Sequence, residues 1–256
     1  MSKERFLHVL LCVSLLINLL FLAFGALYQF YVRKQGGGAL FVERFAKPSP
    51  ITLNSTIDSL VRKSLFQTLE SQSSGSPTVF LGDSLTEFSE WNELLGAPVL
   101  NRGISSDTTL DVLNRLDPVL ALHPTAIYLM IGTNDGLKRS TVDEAAERYR
   151  QILDTIRKGS PRTRIYMQSL LPVLSSGSYT RSLGPNRAGR LNPWIVEMNG
   201  RIKNYADGKS IFYINVHDAL LQDNELAPRF TIDGIHLSGA GYLAWKEQVQ
   251  PLLGRP

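Results

Sequence analysis

The sequence predicts an α/β fold, a parallel sheet covered by helices on both faces. Five short apolar runs are nearly continuous rather than alternating, as strands buried on both faces must be. Between them lie segments with apolar residues at helical spacing, and strand–helix alternation builds a parallel sheet. The 256 residues, 43% apolar and 20% charged, suffice for one large domain with a proper core and exclude intrinsic disorder.

The first fifty residues stand apart from that pattern. Residues 1–5 form a basic tail, and from Phe6 to Val32 no side chain carries a fixed charge. Val9–Tyr28 is interrupted only by Ser14, Asn18 and Gly25. Twenty such residues make a helix of roughly 30 Å, the thickness of a bilayer's hydrocarbon core. The run is apolar all round, unlike a core helix with one apolar stripe. A cleaved signal peptide competes, with Ala23-Phe24-Gly25 as its small-residue site, but its usual apolar stretch is only ~7–15 residues. Continuation through Val32 favours an uncleaved transmembrane anchor over 6–32. Cys12 does not suit a lipoprotein site, because Leu11 precedes it. Positive residues flank both ends of the run, and long domains translocate largely regardless of flanking charge, so the folded domain is expected outside the cytoplasm. Gly36-Gly37-Gly38 and Lys47-Pro48-Ser49-Pro50 mark a linker over 33–50, with the folded domain at 51–256.

Within that domain, Leu53, Ile57, Leu60, Val61, Leu65 and Leu69 predict an amphipathic helix over 52–70, packed beside the main fold. The polar stretch Ser71–Ser76 ends it. Thr78–Leu81, Val99–Asn101, Ala126–Ile131, Ile165–Ser169 and Ile211–Asn215 read as strands. Helices are predicted near 108–120, 141–158, 193–206 and 239–253. Thr141 with Glu144 makes a capping box, and Asn192 before Pro193 reads as an N-cap with proline at the first helical position. Ser175–Leu191, rich in Ser, Gly and Arg, is the longest segment expected to be irregular. Met167 and Trp245 read as core.

Charge and cysteine content narrow the function. The net charge is +4, and residues 1–35 hold Lys3, Arg5, Arg33 and Lys34 against Glu4, so the rest is nearly neutral. Nucleic-acid binding would want the basic residues clustered on the folded domain. A single cysteine excludes a disulfide scaffold and a Cys-based zinc site within the chain.

In such sheets ligands bind beyond the carboxyl ends of the strands. Four segments fall there: Gly82-Asp83-Ser84-Leu85-Thr86, Asn101-Arg102-Gly103-Ile104-Ser105, Gly132-Thr133-Asn134-Asp135 and Asp233-Gly234-Ile235-His236-Leu237-Ser238. A serine hydroxyl needs a base, and a histidine base needs a carboxylate to fix its tautomer. Ser84 follows a strand, and Asp233 lies three residues from His236. The N–H of Ser84, the N–H of Gly103 and the amide of Asn134 are candidate oxyanion donors. His217-Asp218 reads as a turn and Asp135 as a loop-orienting residue.

In order and spacing these four blocks resemble the signatures of the SGNH (GDSL-type) hydrolases, over roughly residues 55–253. Asn101-Arg102-Gly103-Ile104 and the Asp-Gly-Ile-His-Leu-Ser ending are most similar to the branch of platelet-activating-factor acetylhydrolase subunits and lysophospholipase-like esterases. The resemblance implies a flavodoxin-like three-layer fold. It implies Ser84 as nucleophile, His236 as base, Asp233 as its partner, and Ser84, Gly103 and Asn134 as the oxyanion hole. No cofactor or metal is implied. The expected substrate is an acyl or acetyl ester, such as a lysophospholipid or an O-acetylated carbohydrate. Three other readings compete: an O-acyltransferase with the same triad, an inactive membrane-tethered binding module, and a metal-dependent phosphoesterase using Asp83, Asn134, Asp135, Asp233 and His236. The last would want several His and carboxylate ligands converging. There is no Gly-x-Ser-x-Gly elbow, which argues against the α/β-hydrolase fold.

Overall fold

The computed structural model describes residues 50–70 and 75–254. Pro50–Glu70 forms helix α1. Strand β1 (Thr78–Gly82) runs into the four-residue helix α2 (Ser84–Glu87), and α3 (Trp91–Leu95) precedes β2 (Val99–Gly103). Helices α4 (Thr109–Leu113) and α5 (Asp117–Leu120) lead to β3 (Ala126–Met130). Helices α6 (Thr133–Leu137) and α7 (Val142–Gly159) lead to β4 (Arg164–Gln168). Helices α8 (Ser178–Ser182) and α9 (Pro185–Lys203) lead to β5 (Ile211–Ile214). After α10 (His217–Leu220) comes a short antiparallel ribbon of β6 (Leu221–Gln222) and β7 (Glu225–Leu226), then α11 (Gly239–Val249).

The five long strands form one parallel sheet in the order β2-β1-β3-β4-β5, the flavodoxin-like order. The expected strands are all present, each within two residues of its predicted ends. The direction of strand order reverses between β1 and β3, and a ligand crevice opens at such a point. Ser84 follows β1 and Asn134 follows β3, so the topology alone puts both beside that crevice.

The two sheet faces have different chemistry. Phe80, Tyr128, Tyr166 and Phe212 occupy one register row across four strands, with successive ring centroids 4.8, 4.7 and 5.2 Å apart. Trp91 of α3 stacks on Phe80 at 4.3 Å, and Trp245 of α11 meets Trp91 edge-on at 4.9 Å. Alternate residues of a strand point to opposite faces. Val79, Leu81, Ile127, Leu129, Ile165 and Met167 therefore line the other face, all buried. Helices α4, α7 and α9 pack side by side, and α10, α11 and α3 form a second row.

Four helical expectations are corrected. The helix near 108–120 is two helices, because Pro118 has no N–H to continue the ladder and its ring would clash with the carbonyl of Asn114. The helix expected from Pro193 starts at Pro185 and carries Pro193 inside. Asn192 is not its cap. Its side chain clamps the backbone of Val173 instead, accepting from the N–H at 2.8 Å and donating to the carbonyl at 2.9 Å. Ser175–Leu191 is mostly helical, containing α8 and the first turns of α9.

The fourth correction concerns α1. Ile57, Leu60, Val61 and Leu65 are exposed, not packed on the fold. The helix is held through Phe66, whose ring lies 5.0 Å from the Arg62 guanidinium and 4.5 Å from that of Arg102. The Thr141–Glu144 capping box is formed as expected. Among the described residues no helix is long and apolar enough to cross a membrane. The run 6–32 and residues 33–49 of the linker lie outside the described residues.

Candidate active site

Ser84 stands at the first position of α2, directly after the strand end. Asp83 caps that helix, its carboxylate accepting from Leu85 N–H at 3.0 Å. The Tyr242 hydroxyl of α11 donates to Leu85 carbonyl at 2.9 Å, and Trp91 Nε1 donates to Thr86 carbonyl at 2.8 Å. The turn carrying Ser84 is thus fixed from both helices that cover the aromatic face.

The histidine and its carboxylate come from the loop before α11, which an isolated bridge between Thr231 and Leu237 closes into a narrow loop. One oxygen of Asp233 accepts from the N–H groups of Ile235 and His236, at 2.9 and 2.8 Å. The other lies 2.6 Å from His236 Nδ1. A three-residue spacing works because the same carboxylate folds the turn and orients the ring. Gly234 takes φ +106°, a conformation that favours glycine, and a Cβ there would sit 2.6 Å from the Leu174 carbonyl. The network assigns the ring proton to Nδ1, leaving Nε2 to accept from Ser84 Oγ at 3.1 Å. Burial pushes the Asp233 carboxyl up, but the His236 ring and the two backbone N–H groups outweigh it and hold it below the usual range. The carboxylate is therefore ionised at neutral pH.

Asn134, on α6, donates one amide hydrogen to Asp107 carbonyl at 2.9 Å, leaving its second for a ligand. The expectation for Gly103 needs correction. Its N–H donates to Asn101 Oδ1 at 2.9 Å and is not free. Gly103 serves close packing instead: a Cβ there would collide with Glu87 N and lie 2.8 Å from Asp83 carbonyl. In the following loop, Ile104 N–H goes to Gly82 carbonyl, Ser105 N–H to Glu87 carboxylate and Asp107 N–H to Ile104 carbonyl. Among the described residues Ser106 N–H has no acceptor, and neither has Ser84 N–H. Ser106 holds φ +68°, left-handed for a residue with a Cβ. Sequence reasoning missed it because serine carries no signal for that conformation. It also missed Asn101, whose Nδ2 caps the carbonyls of Thr86, Glu87 and Ser89 at 3.0, 3.1 and 3.1 Å.

The carboxylates of the phosphoesterase alternative do not converge. Asp135 is spent on Thr109 N–H at 2.9 Å, Thr109 hydroxyl at 2.6 Å and Arg148 at 3.2 Å. That makes it the loop-orienting residue expected. Asp83 faces Leu85 and Asp233 faces His236. Among the described residues no three His, Cys, Asp or Glu side chains are grouped to hold a metal ion. His217 pairs with Asp218 at 2.9 Å at the start of α10, apart from this site.

A model of the GDSL-like lipase/acylhydrolase family matches residues 80–244. Platelet-activating factor acetylhydrolase IB subunit alpha1 of Rattus norvegicus is 27% identical over 177 residues, covering 64% of this chain and 69% of that protein. A solved structure from Streptococcus pneumonia, described as a platelet activating factor, is 28% identical with a TM-score of 0.72, covering 84% of this chain and 99% of that one. A GDSL-like lipase structure from Bacteroides thetaiotaomicron shares the fold, with a TM-score of 0.63 at 21% identity over 74% of this chain and 96% of that one.

Asp83 gives the site a measurable pH signature. Burial, aided by the charges of Asp107 and Asp135, outweighs the bond from Leu85 and pushes its carboxyl up to about 7. Between the ordinary carboxylate value and about 7, the folded chain keeps a proton that the unfolded chain has lost. Stability should therefore fall as pH rises through that window and level off above it. Asp83→Asn, which keeps the cap but cannot ionise, should flatten the decline and be the more stable form at pH 8, by about 4 kcal/mol. Urea unfolding of both proteins from pH 4.5 to 8 tests this, and parallel curves would refute it.

Proposed function

The chain belongs to the GDSL-like lipase/acylhydrolase family and is a serine ester hydrolase, and we propose that Ser84, His236 and Asp233 carry its chemistry on an acyl or acetyl ester. The observation behind this reading is the continuous relay from Ser84 Oγ to His236 Nε2 at 3.1 Å and from Nδ1 to Asp233 at 2.6 Å. Ser84 Oγ attacks the ester carbonyl carbon while Nε2 takes its proton. The ionised Asp233 stabilises the imidazolium that forms. Negative charge develops on the former carbonyl oxygen, where Ser84 N–H, Ser106 N–H and the second hydrogen of Asn134 Nδ2 receive it. Collapse breaks the carbon–oxygen bond to the alcohol, which leaves with the proton from Nε2. Water then gives a proton to His236 and attacks the acyl carbon; the bond from that carbon to Ser84 Oγ breaks, His236 returns the proton to Oγ, and the acid leaves. The acetylhydrolase name of the curated relatives favours a short acyl group.

The uncharged run from Phe6 to Val32 supports a further part of the proposal, a single-pass anchor holding the catalytic domain at a membrane, outside the cytoplasm.

Ser84→Ala should lower ester hydrolysis at least ~10³-fold with the fold retained, since no neighbour replaces the nucleophile. Wild-type activity should persist in excess chelator and vanish when a phosphonate labels Ser84. A folded Ser84→Ala protein with more than a tenth of the activity, or loss to chelator with rescue by a divalent ion, would sink the serine mechanism.

Asn134→Ala should lower kcat by ~10²–10³-fold with little change in KM, because an oxyanion donor acts mainly in the transition state. An effect confined to KM would reassign Asn134 to substrate binding.

The full chain should stay in the membrane fraction through high salt and alkaline carbonate, because screening releases only charge-held proteins. A chain lacking residues 1–35 should be soluble and active. Mature protein beginning near Ala26 would instead show a cleaved signal peptide.

A further inference from the structure

Among the described residues the aromatic rings of this fold are buried or half-buried, with two exceptions. Trp91, Trp245, Tyr128, Tyr149 and Phe80 are all among its fully buried side chains. Phe88 and Tyr179 break that rule, being 55% and 37% exposed, and both stand beside the same imidazole. The Phe88 ring centroid is 5.3 Å from that of His236 and the Tyr179 centroid is 6.0 Å away. Single exposed apolar residues need no explanation, but a group of them at a reactive centre does. Ile232, 72% exposed, adds a third, and its N–H donates to His236 carbonyl at 3.0 Å.

Both rings are fixed to the reacting groups. Phe88 caps the nucleophile helix, its N–H donating to Ser84 carbonyl at 3.0 Å. Tyr179 N–H donates to Asp233 carbonyl at 2.9 Å, and Leu174 N–H donates to Gly234 carbonyl at 2.8 Å. Gly177 lies so close to Asp233 and Gly234 that a Cβ would collide with them. Segment 174–182 is therefore built onto the catalytic loop as a wall with Tyr179 on it.

The reaction chemistry says which part of the ester meets these rings. In the mechanism above, His236 Nε2 hands its proton to the departing alcohol oxygen, so the alcohol must lie along the imidazole. The carbonyl oxygen lies toward Ser84 N–H, Ser106 and Asn134, where the neighbouring groups are polar. We propose that Phe88 and Tyr179 are specificity-determining residues that bind the alcohol part of the ester through a ring-sized apolar face, aryl or the C–H face of a sugar. This rests on the triad reading. Ring faces in contact recognise size and flatness and leave the acyl group unselected.

The test varies one side of the ester at a time, using the full chain in detergent. Phenyl acetate, an acetylated methyl pyranoside and ethyl acetate share the acyl group, whereas phenyl acetate and phenyl hexanoate share the alcohol. Phe88→Ala and Tyr179→Ala should each lower the phenyl-to-ethyl ratio of kcat/KM roughly tenfold, and leave the acetate-to-hexanoate ratio unaltered. Tyr179→Phe, which keeps the ring, should keep the wild-type ratio. If the pyranoside follows phenyl acetate, a sugar face suffices; if it follows ethyl acetate, the ring is aromatic. An unchanged phenyl-to-ethyl ratio overturns the proposal, as does a loss that tracks acyl length. Wild-type protein inert to all four esters, with Ser84 unlabelled by phosphonate, would overturn the triad reading beneath it.

Discussion

The Asn101 side-chain amide joins the two segments that must stay in register for this site to exist. Its Nδ2 is shared among three carbonyls at the end of the nucleophile helix, and its Oδ1 accepts from Gly103 N–H. Glu87 and Arg62 reinforce the same junction. Glu87 accepts from Ser105 N–H and hydroxyl, while Arg62 reaches Glu87 at 3.2 Å and Gly103 carbonyl at 2.8 Å. Among the described residues the N–H groups of Gly103, Ile104, Ser105 and Asp107 all have acceptors, at Asn101, Gly82, Glu87 and Ile104 in turn.

The loop carrying Asp233 and His236 has its own local bonding. Thr231 donates to His236 carbonyl and accepts from Gly234 N–H, both at 2.8 Å, so the turn carrying Asp233 and His236 holds its shape locally. Helix α11 follows directly and sends Tyr242 back to the nucleophile helix. Segment 174–182 closes the other side. The two segments are joined by the Ser84–His236 bond and by the bond from Tyr242 to Leu85 carbonyl.

What the sequence disclosed follows from how local each signal is. The five strands were legible because burial on both faces makes them continuously apolar, and no other element of this length looks alike. The Thr141–Glu144 cap was legible because both partners lie within one turn. Ser84, Asp233, His236 and Asn134 fall at strand ends or one loop, so topology brings them together. The helix boundary at Pro193 was misread because Asn192 bonds to Val173, nineteen residues away. The engagement of Gly103 N–H is hidden from sequence for a similar reason. The rival acceptor, Asn101 Oδ1, shows only in three dimensions, and a left-handed serine has no sequence mark. The apolar face of α1 misled through its own periodicity, because Phe66 and two arginines dock the helix.

Beneath the nucleophile turn lie three carboxyls and two guanidinium groups. Asp107 pairs with Arg115 at 2.6 Å and Asp135 with Arg148 at 3.2 Å, and among the described residues Asp83 has no ion-pair partner. Taking a buried charge from water is costly unless it is paired, which is why burial pushes the Asp83 carboxyl up to about 7. Were Asp83 ionised as well, three carboxylates would face two guanidinium groups beneath this turn. With Asp83 protonated, the pairs cancel and the floor is neutral. The same arginines also brace the backbone, Arg115 at Gly82 carbonyl and Arg148 at the Thr109 hydroxyl. The floor thus holds the strand end before Ser84 and the loop beside Asn134 in place with its charges balanced.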